Sequence, residues 1–210
     1  MLARSAVLLL WLATAATANS NCPSNYLQAG ALAKTSTDAT DSASDFGHCQ
    51  FSQGSWSASY DIPDGRFSVS ASFPGDCGGA ARVDVHDDFK VIGLPAGTPL
   101  PIVAVLHASA TSATTTIADA DGNHVTFGAS DEGAVGEVTL PIAAVAEQPF
   151  RLTFDAQAGA NSPVSGTALA DFHFTGLPPG TAVVSCNGYV SDRSVRVQTT
   201  NWGKLKALYR

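Results

Sequence analysis

The sequence predicts an all-β protein built as an antiparallel β-sandwich, immunoglobulin-like or jelly-roll-like, with a short C-terminal helical turn. Two observations predict the sandwich. From about Gln50 onward, apolar and polar residues alternate, and short groups of Gly, Pro and Asp separate the alternating runs. Alternation buries one face of a strand and leaves the other face in water. Closely spaced strands with almost no helical periodicity are typical of a sandwich.

The predicted strands are clearest in four alternating runs, at residues 56–60, 67–71, 83–85 and 152–154. Turn residues separate the runs, as Pro-Asp-Gly at 63–65, Pro-Gly-Asp at 74–76, Asp-Gly at 121–122 and Ser-Pro at 162–163. Pro and Gly supply the backbone angles that hairpins and tight turns need. The pattern therefore predicts antiparallel neighbours joined by short connections.

The beginning of the chain predicts export. Arg4 gives a positive start, residues 6–13 form an unbroken apolar run, and Ala16-Thr17-Ala18 is a small-residue cleavage signal. The apolar run is far shorter than the ~20 residues that a membrane-spanning helix needs. We therefore expect a signal peptide at 1–18 and a mature chain from near Asn19. Such a protein is secreted, extracellular or periplasmic, and it has no membrane attachment after cleavage.

Composition limits the classes of partner. The chain carries 11 Lys and Arg against 18 Asp and Glu, for a formal net charge of −7. Nucleic acids and anionic membranes bind basic faces, so neither is an expected partner. The sequence names no partner, and a glycan or a cell-surface protein stays open. No cofactor is expected, apart from a weak calcium site.

We divide the chain into a signal peptide at 1–18, a polar N-terminal segment at 19–45, one β-sandwich at 46–200 and an amphipathic tail at 201–210. Residues 35–45 are rich in Ser, Thr and Asp and predict a loop. In the tail, Trp202, Leu205 and Tyr209 recur at helical spacing, which predicts a helical turn docked on the sandwich. A recognition or sorting tail is the alternative.

Four cysteines lie in the mature part of the chain, and they are Cys22, Cys49, Cys77 and Cys186. In an oxidising compartment four cysteines indicate two disulfides, and three pairings are open. We favour the pairs Cys22–Cys49 and Cys77–Cys186. Because no Cys-x-x-Cys pair is present, neither a zinc knuckle nor a thioredoxin-like site is expected.

A motif of eleven residues occurs twice, as DFKVIGLPAGT at 88–98 and DFHFTGLPPGT at 171–181, with seven matching positions. Pro fixes the start of a turn and the second Gly permits a positive φ, so the motif predicts a strand–turn–strand corner used twice. We expect Leu94 and Leu177 to be buried at equivalent places. Lys90 and His173 should face solvent. One sandwich is preferred to two small domains, because no linker separates the two copies.

The Gly-Leu-Pro-x-Gly-Thr corner resembles the corner that joins two strands in fibronectin type III and related immunoglobulin-like sandwiches. The aromatic residue usual soon after the Thr is absent, since Pro99-Leu100 and Ala182-Val183 stand there. More broadly, the layout, with a late Ser-Cys-x-Gly-Tyr at 185–189, resembles uncharacterised exported bacterial β-sandwich proteins. That resemblance implies a fold and carries no activity.

Asp84, His86 and Asp88 alternate along a predicted strand and would share one face, as a divalent metal site requires. The first and fifth residues of a strand are ~13 Å apart, which is too far for one ion without a ligand from another strand. His107 or His173 would have to supply that ligand. A solvated polar face is the simpler interpretation.

Asp119 and Asp121 give the loop around them the oxygen density of a calcium site. Ser130 stands where the bidentate Glu of such a loop is expected. An Asp-Gly hairpin turn explains the same residues.

We identify no catalytic residues. The run GDCGG at 75–79 resembles a protease nucleophile loop, but only His48 precedes it in the mature chain as a base. Trp56, Tyr60 and Phe73 are candidates for a sugar-stacking platform, although alternating aromatics are more often core.

The expected function is therefore that of a secreted, non-enzymatic β-sandwich acting as a surface, matrix or adhesion component. A carbohydrate-binding module is the first alternative. A metal-dependent enzyme that uses the face of Asp84, His86 and Asp88 is the second.

Overall fold

The computed structural model describes residues 22–49, 52–72, 79–130, 132–160 and 165–191. In these ranges the chain is all-β, as the alternation predicts, and holds no helix. The strands are β1 (Asn25–Ala29), β2 (Leu32–Ser36), β3 (Thr40–Cys49), β4 (Ser52–Asp61), β5 (Arg66–Ser72), β6 (Gly79–Ile92), β7 (Pro99–Thr111), β8 (Ala113–Asp119), β9 (His124–Ala129), β10 (Ala134–Val145), β11 (Pro149–Ala160), β12 (Gly166–Thr175) and β13 (Ala182–Ser185). The signal peptide predicted at 1–18 and the helical turn predicted at 201–210 lie outside the described residues. Nowhere in the described ranges is there a helix long and apolar enough to cross a membrane.

The strands form two sheets that pack face to face, which confirms the predicted sandwich. Sheet one has the order β2-β1-β6-β11-β8-β9, with β13 also paired to β6. Sheet two has the order β10-β7-β12-β5-β4-β3. The pairings between these strands are antiparallel. The longest ones join β11 to β6 inside sheet one and β10 to β7 at one edge of sheet two.

The core lies between the sheets and is filled by the inward residues of each strand. β12 alternates most strictly, since every second residue from Gly166 to Phe174 is buried. Phe154 of sheet one stacks on Phe172 of sheet two with ring centroids 4.2 Å apart, and Phe89 meets Phe172 edge-on at 5.8 Å. Such ring pairs add about 0.5–1.5 kcal/mol each beyond the area they bury. The aromatic cluster therefore joins both sheets in one core.

The polar N-terminal segment belongs to the sandwich. β1 pairs with β6, and its residues Leu27 and Ala29 are fully buried. Residues 35–45, which predict a loop, instead contain the end of β2 and the first part of β3. β2 and β3 are edge strands, so most of their side chains face water and their composition resembles that of a loop.

The two copies of the repeated motif form equivalent corners, as predicted. The first corner leads from β6 in sheet one to β7 in sheet two, and the second leads from β12 in sheet two to β13 in sheet one. In each corner a threonine hydroxyl donates to a proline carbonyl at 2.6 Å, from Thr98 to Pro95 and from Thr181 to Pro178. The motif is thus a crossing between sheets.

Leu94 and Leu177 take matching positions against the core, but both are half-buried, where full burial was expected. His173 is exposed, as expected. The prediction for Lys90 is wrong, because that residue is buried and its ammonium nitrogen lies 2.8 Å from Glu147 Oε2. β13 pairs with β6 beside Lys90, and a small second apolar cluster closes this end of the outer face, formed by Ile92, Ala182 and Val184.

The structure joins Cys22 to Cys186, so the predicted pairs Cys22–Cys49 and Cys77–Cys186 are wrong. Cys49 ends β3, and Cys77 lies outside the described residues. The observed bond links positions 164 residues apart, a separation that spacing in the sequence does not reveal.

The edge of β6 explains this pairing. β1 pairs with the first part of that edge and β13 with the last part. The segment before β1 and the segment after β13 therefore meet in the gap between them. There the amide of Cys186 donates to the carbonyl of Asp88 at 2.9 Å.

Candidate functional site

The outer face of sheet one carries a group of polar residues that we name the charged face. Alternate residues of a strand point to the same side, so β6 and β11 each present a row of side chains to solvent. The charged face consists of Arg82, Asp84, His86 and Asp88 from β6 and Arg151, Thr153 and Asp155 from β11. The register of the two strands sets these rows side by side.

Arg82 joins two carboxylates of the charged face. Its Nε lies 2.7 Å from Asp155 Oδ2, and its Nη2 lies 3.4 Å from Asp84 Oδ2. Burial raises the pKa of Asp155 even though Arg82 acts to lower it. Ion pairs this exposed are worth about 0.2–1 kcal/mol each. Their main effect is to hold three planar groups in one orientation.

Asp88 and Arg151 form a bidentate pair. Arg151 Nε donates to Asp88 Oδ1 at 2.7 Å, and Arg151 Nη2 donates to Asp88 Oδ2 at 3.0 Å. These hydrogen bonds raise the pKa of Arg151. Both oxygens of the carboxylate are therefore engaged by one guanidinium.

A hydroxyl, an imidazole and a carboxylate stand in line at the centre of the charged face. Thr153 Oγ1 lies 3.1 Å from His86 Nδ1, and His86 Nε2 lies 3.1 Å from Asp84 Oδ1. The hydrogen bond with Asp84 raises the pKa of His86, and the same bond lowers the pKa of Asp84. Sequence reasoning missed Thr153, because β11 brings it to His86 from far along the chain. The alternating Arg-x-Thr-x-Asp of residues 151–155 was the available signal.

The hydroxyl, imidazole and carboxylate stand in the order of a catalytic triad, but the backbone amides near them are not arranged as such a triad requires. Acyl transfer needs backbone N–H groups aimed at a developing oxyanion. β11 pairs with strands on both sides, and on β6 the amides of His86 and Asp88 donate to Asn25 Oδ1 and Asp87 Oδ1, so these amides are already engaged. The arrangement is suited to hydrogen bonding and to a pH-dependent charge.

The proposed metal ligands Asp84, His86 and Asp88 do share one face, as their alternation predicts. Their charges are directed at protein groups, since Asp88 is held by Arg151 and Asp84 by Arg82 and His86. His107 lies on β7 of sheet two, so it cannot complete a site on sheet one. Across the described residues, His, Cys, Asp and Glu side chains form no group of three or more that could hold a metal ion.

The candidate calcium ligands Asp119 and Asp121 lie in the turn between β8 and β9. Asp119 Oδ1 accepts hydrogen bonds from the amides of Asp121 and Asn123 at 3.0 and 2.9 Å, and Asp119 Oδ2 accepts one from Asn123 Nδ2 at 2.8 Å. Gly122 has a φ of 88°. These are the contacts of an Asp-Gly hairpin turn, in which Asp119 fixes the backbone.

Asp87 is buried on the inward side of β6, and the sequence did not single it out. The residue is fully buried, and burial raises the pKa of its carboxyl to about 7. Hydrogen bonding by Ser185 and by the backbones of Asp88 and Asn187 acts in the opposite direction. Asp87 thus anchors the turn that follows β13, next to the Cys186 disulfide. Asp87 stands among other acidic residues, and the alternation predicts polar side chains only on the outer face. The pattern therefore did not indicate a buried carboxyl.

The outer face of sheet two is covered by small hydroxyls, and we name it the serine face. Its serines come from three neighbouring strands, with Ser42 and Ser44 on β3, Ser55, Ser57 and Ser59 on β4, and Ser68, Ser70 and Ser72 on β5. The register aligns them across the strands, as in the row Ser42, Ser59 and Ser68. Neighbouring serines within a row lie one strand spacing apart, about 4.8 Å.

One end of the serine face sinks into an open depression of about 590 Å³, the serine depression. Its lining combines charged, hydroxyl and apolar groups, including Asp41, Ser59, Asp61, Arg66, Ser68 and Leu169. The Arg66 side chain is 68% exposed, and Leu169 is 58% exposed. Lys34 Nζ lies 2.6 Å from Asp41 Oδ1 at the rim.

The candidate aromatic platform is not a surface feature at the positions described. Trp56 and Tyr60 point into the core and are 7% and 3% exposed. Phe73 lies outside the described residues. The core interpretation of these alternating aromatics is therefore the correct one for Trp56 and Tyr60.

No protein-family model and no curated protein matches this chain. Among solved structures, the chain is similar to TmCBM61 in complex with β-1,4-galactotriose, with 10% sequence identity and a TM-score of 0.22. The match covers 67% of this chain and 91% of that chain. A likeness this weak carries nothing about a site or a ligand. The described residues themselves define the class, an antiparallel β-sandwich with two open polar faces.

Proposed function

We propose that this chain is an exported, non-enzymatic β-sandwich that binds carbohydrate through the serine depression and acts at a surface or in a matrix. The observation that carries the proposal is hydrogen-bonding capacity that the protein does not use. Within the described residues, the hydroxyls of Ser59 and Ser68 make no hydrogen bond to the protein. Arg66 makes one long contact, 3.8 Å from Asp64.

The mixture of groups in the depression matches the chemistry of a sugar. Sugars carry many hydroxyls that both donate and accept, together with apolar C–H faces. Arg66 donates only, Asp61 accepts, and serine hydroxyls do either. Leu169 offers an exposed apolar contact between them. The lining comes mainly from strands, which hold a binding surface more firmly than loops do.

The depression favours binding over glycoside hydrolysis. A general acid for that reaction needs a carboxyl with a raised pKa. Burial acts to raise the pKa of Asp41, but hydrogen bonds from Lys34 and from the Ser42 amide outweigh it, and the pKa is lowered. Asp41 is therefore a poor proton donor near neutral pH.

Export is supported by the bond between Cys22 and Cys186, because disulfides persist in oxidising compartments. The contacts of the charged face do not favour a metal-dependent reaction. There Arg151 occupies both oxygens of Asp88.

A glycan array probed with the mature protein tests this function, followed by titration calorimetry with the best oligosaccharide. We expect Arg66→Ala and Leu169→Ala each to weaken binding about tenfold, the loss of one buried contact. Val135→Ala is the matched control. Val135 is 70% exposed on the same face, and Ser109 separates it from Leu169 across the sheet, outside the depression.

If binding survives both Arg66→Ala and Leu169→Ala, the site lies outside the depression. The same conclusion follows if Val135→Ala weakens binding equally. A silent array would remove carbohydrate as the ligand.

A further inference from the structure

Phe46 is the most exposed large hydrophobic residue in the part of the chain that the structure describes. It is 77% exposed and lies on β3, the edge strand of sheet two, apart from the aromatic cluster of the core. A single apolar residue in water is ordinary in itself. The place of Phe46 relative to the serine depression is what gives its ring a role.

Phe46 and the serine depression lie on the same outer face of sheet two. Alternate residues of a strand face the same side, so Phe46 shares this face with Ser42 and Ser44. Ser42 lines the serine depression. Because four residues of a strand span about 14 Å, the ring lies about that far from Ser42, at the other end of the serine face.

The surface between the depression and Phe46 carries hydroxyls and no charge. The register of β3, β4 and β5 sets Ser44, Ser57 and Ser70 in one row, and it sets Ser55 directly opposite Phe46. Among the residues that the structure describes, these four serine hydroxyls have no hydrogen-bond partner. Each hydroxyl can therefore both donate to a ligand and accept from it.

We propose that Phe46 is an aromatic subsite for a neutral, linear glycan whose other end occupies the serine depression. This inference rests on the proposed function and extends it from one depression to a path along the strands. One sugar ring stacks on Phe46, because the face of an aromatic ring is partly negative and sugar C–H groups are weakly positive. The sugar rings between the two ends exchange hydrogen bonds with Ser44, Ser57 and Ser70.

The length and the charge of this path define the class of glycan. A separation of about 14 Å between Ser42 and Phe46 exceeds the length of a disaccharide, so only a longer chain contacts both ends. The serine row between them offers no cation to a uronic acid or to a sulfate group. The glycan is therefore uncharged where it crosses this row.

Titration calorimetry of the mature protein tests the inference, with disaccharides and hexasaccharides of the cello-, xylo-, manno- and chito-oligosaccharide series. Phe46→Ala should weaken binding of the hexasaccharide about tenfold and leave binding of the disaccharide unchanged, since only the longer chain reaches the ring. Phe46→Trp should keep the tight binding, because it keeps an aromatic face. Arg66→Ala should weaken binding of both lengths. Val135→Ala removes an exposed apolar side chain from β10, the opposite edge strand, and should change neither.

The outcomes separate this inference from the proposed function. If the two lengths bind equally tightly, or if Phe46→Ala affects both lengths or neither, the aromatic subsite is overturned and the serine depression remains. If none of the four series binds, the inference is overturned, and a silent glycan array would then remove the proposed function as well. If Phe46→Ala instead converts a dimer of the free protein to monomers in sedimentation, Phe46 is a contact between two copies and the inference is overturned.

Discussion

Gly93 lies directly against Gly180, so the two corners of the repeated motif touch each other. A Cβ placed on Gly93 would come within 2.3 Å of the Gly180 carbonyl oxygen and 3.0 Å of the Thr181 Cα. The first corner leaves sheet one and the second returns to it, so their contact closes one end of the sandwich. The backbone at Gly93 also has a φ of 94°, which side chains rarely adopt.

Replacing Gly93 with alanine should therefore destabilise the folded protein. The new methyl group meets backbone atoms, which cannot rotate away, and the positive φ adds strain. We expect Gly93→Ala to lower the free energy of unfolding by more than about 3 kcal/mol in urea denaturation.

Gly97→Ala is the matched control in the same corner. Gly97 has a φ of 82°, but a Cβ added there would meet no atom within 4 Å, so only the strain remains. That variant should lose about 1 kcal/mol. Equal losses from both variants would show that the corners do not press on each other.

The sequence was sufficient for the fold class and for the corners, and insufficient for residues whose setting depends on distant strands. Alternation along β12 reports its buried face directly, since each strand turns one side to the core. Lys90 has the same local pattern as His173, yet β13 pairs beside it and removes it from water. No local pattern encodes which strand becomes that neighbour.

The candidate sites also contain residues that the sequence predicts and residues that depend on distant strands. The shared face of Asp84 and His86 follows from spacing along a single strand. Thr153 joins them only through the register of β11, and the serine depression needs the relative position of four strands. Asp87 was hidden because an acidic residue in a run of acids is ordinarily solvated.

The buried Asp87 should make stability depend on pH in a defined direction. Its pKa in the folded protein is about 7, against 3.8 as the ordinary value, so the folded state holds this proton more tightly. Stability is then greatest below about pH 4 for this group and is lost as pH rises to about 7, where the buried carboxyl ionises. The full effect is on the order of several kcal/mol.

Asp87→Asn should flatten the fall in the free energy of unfolding between pH 4 and pH 7, measured in urea with the disulfides intact. Because the pKa of His86 is raised, both proteins lose stability above about pH 6.5. Because the pKa of Asp84 is lowered, both also lose stability in strong acid. Their common effects cancel in the comparison. Asp121→Asn, at an exposed carboxyl, should keep the original slope. An unchanged slope in Asp87→Asn would mean that Asp87 is ionised at little cost.

The remaining cysteines should form the second disulfide, Cys49–Cys77. The Trp56 indole lies between Gly47 and Gly79. A Cβ on Gly47 would be 3.9 Å from Trp56 Cζ2, and a Cβ on Gly79 would be 2.9 Å from the same atom. Cβ atoms placed on the two glycines would therefore lie within about 7 Å of each other, so the end of β3 and the start of β6 pass close together beside this ring.

Along the chain, Cys49 follows Gly47 by two residues and Cys77 precedes Gly79 by two. Non-reducing digestion and mass spectrometry should yield a linked peptide pair containing Cys49 and Cys77. Closing a loop of this length should contribute roughly 3–4 kcal/mol. The double variant Cys22→Ser/Cys186→Ser should retain the link, which separates it from the bond already seen. Two free thiols in the denatured, unreduced protein, or a link between two copies, would contradict the pairing and leave Cys77 as a reactive thiol.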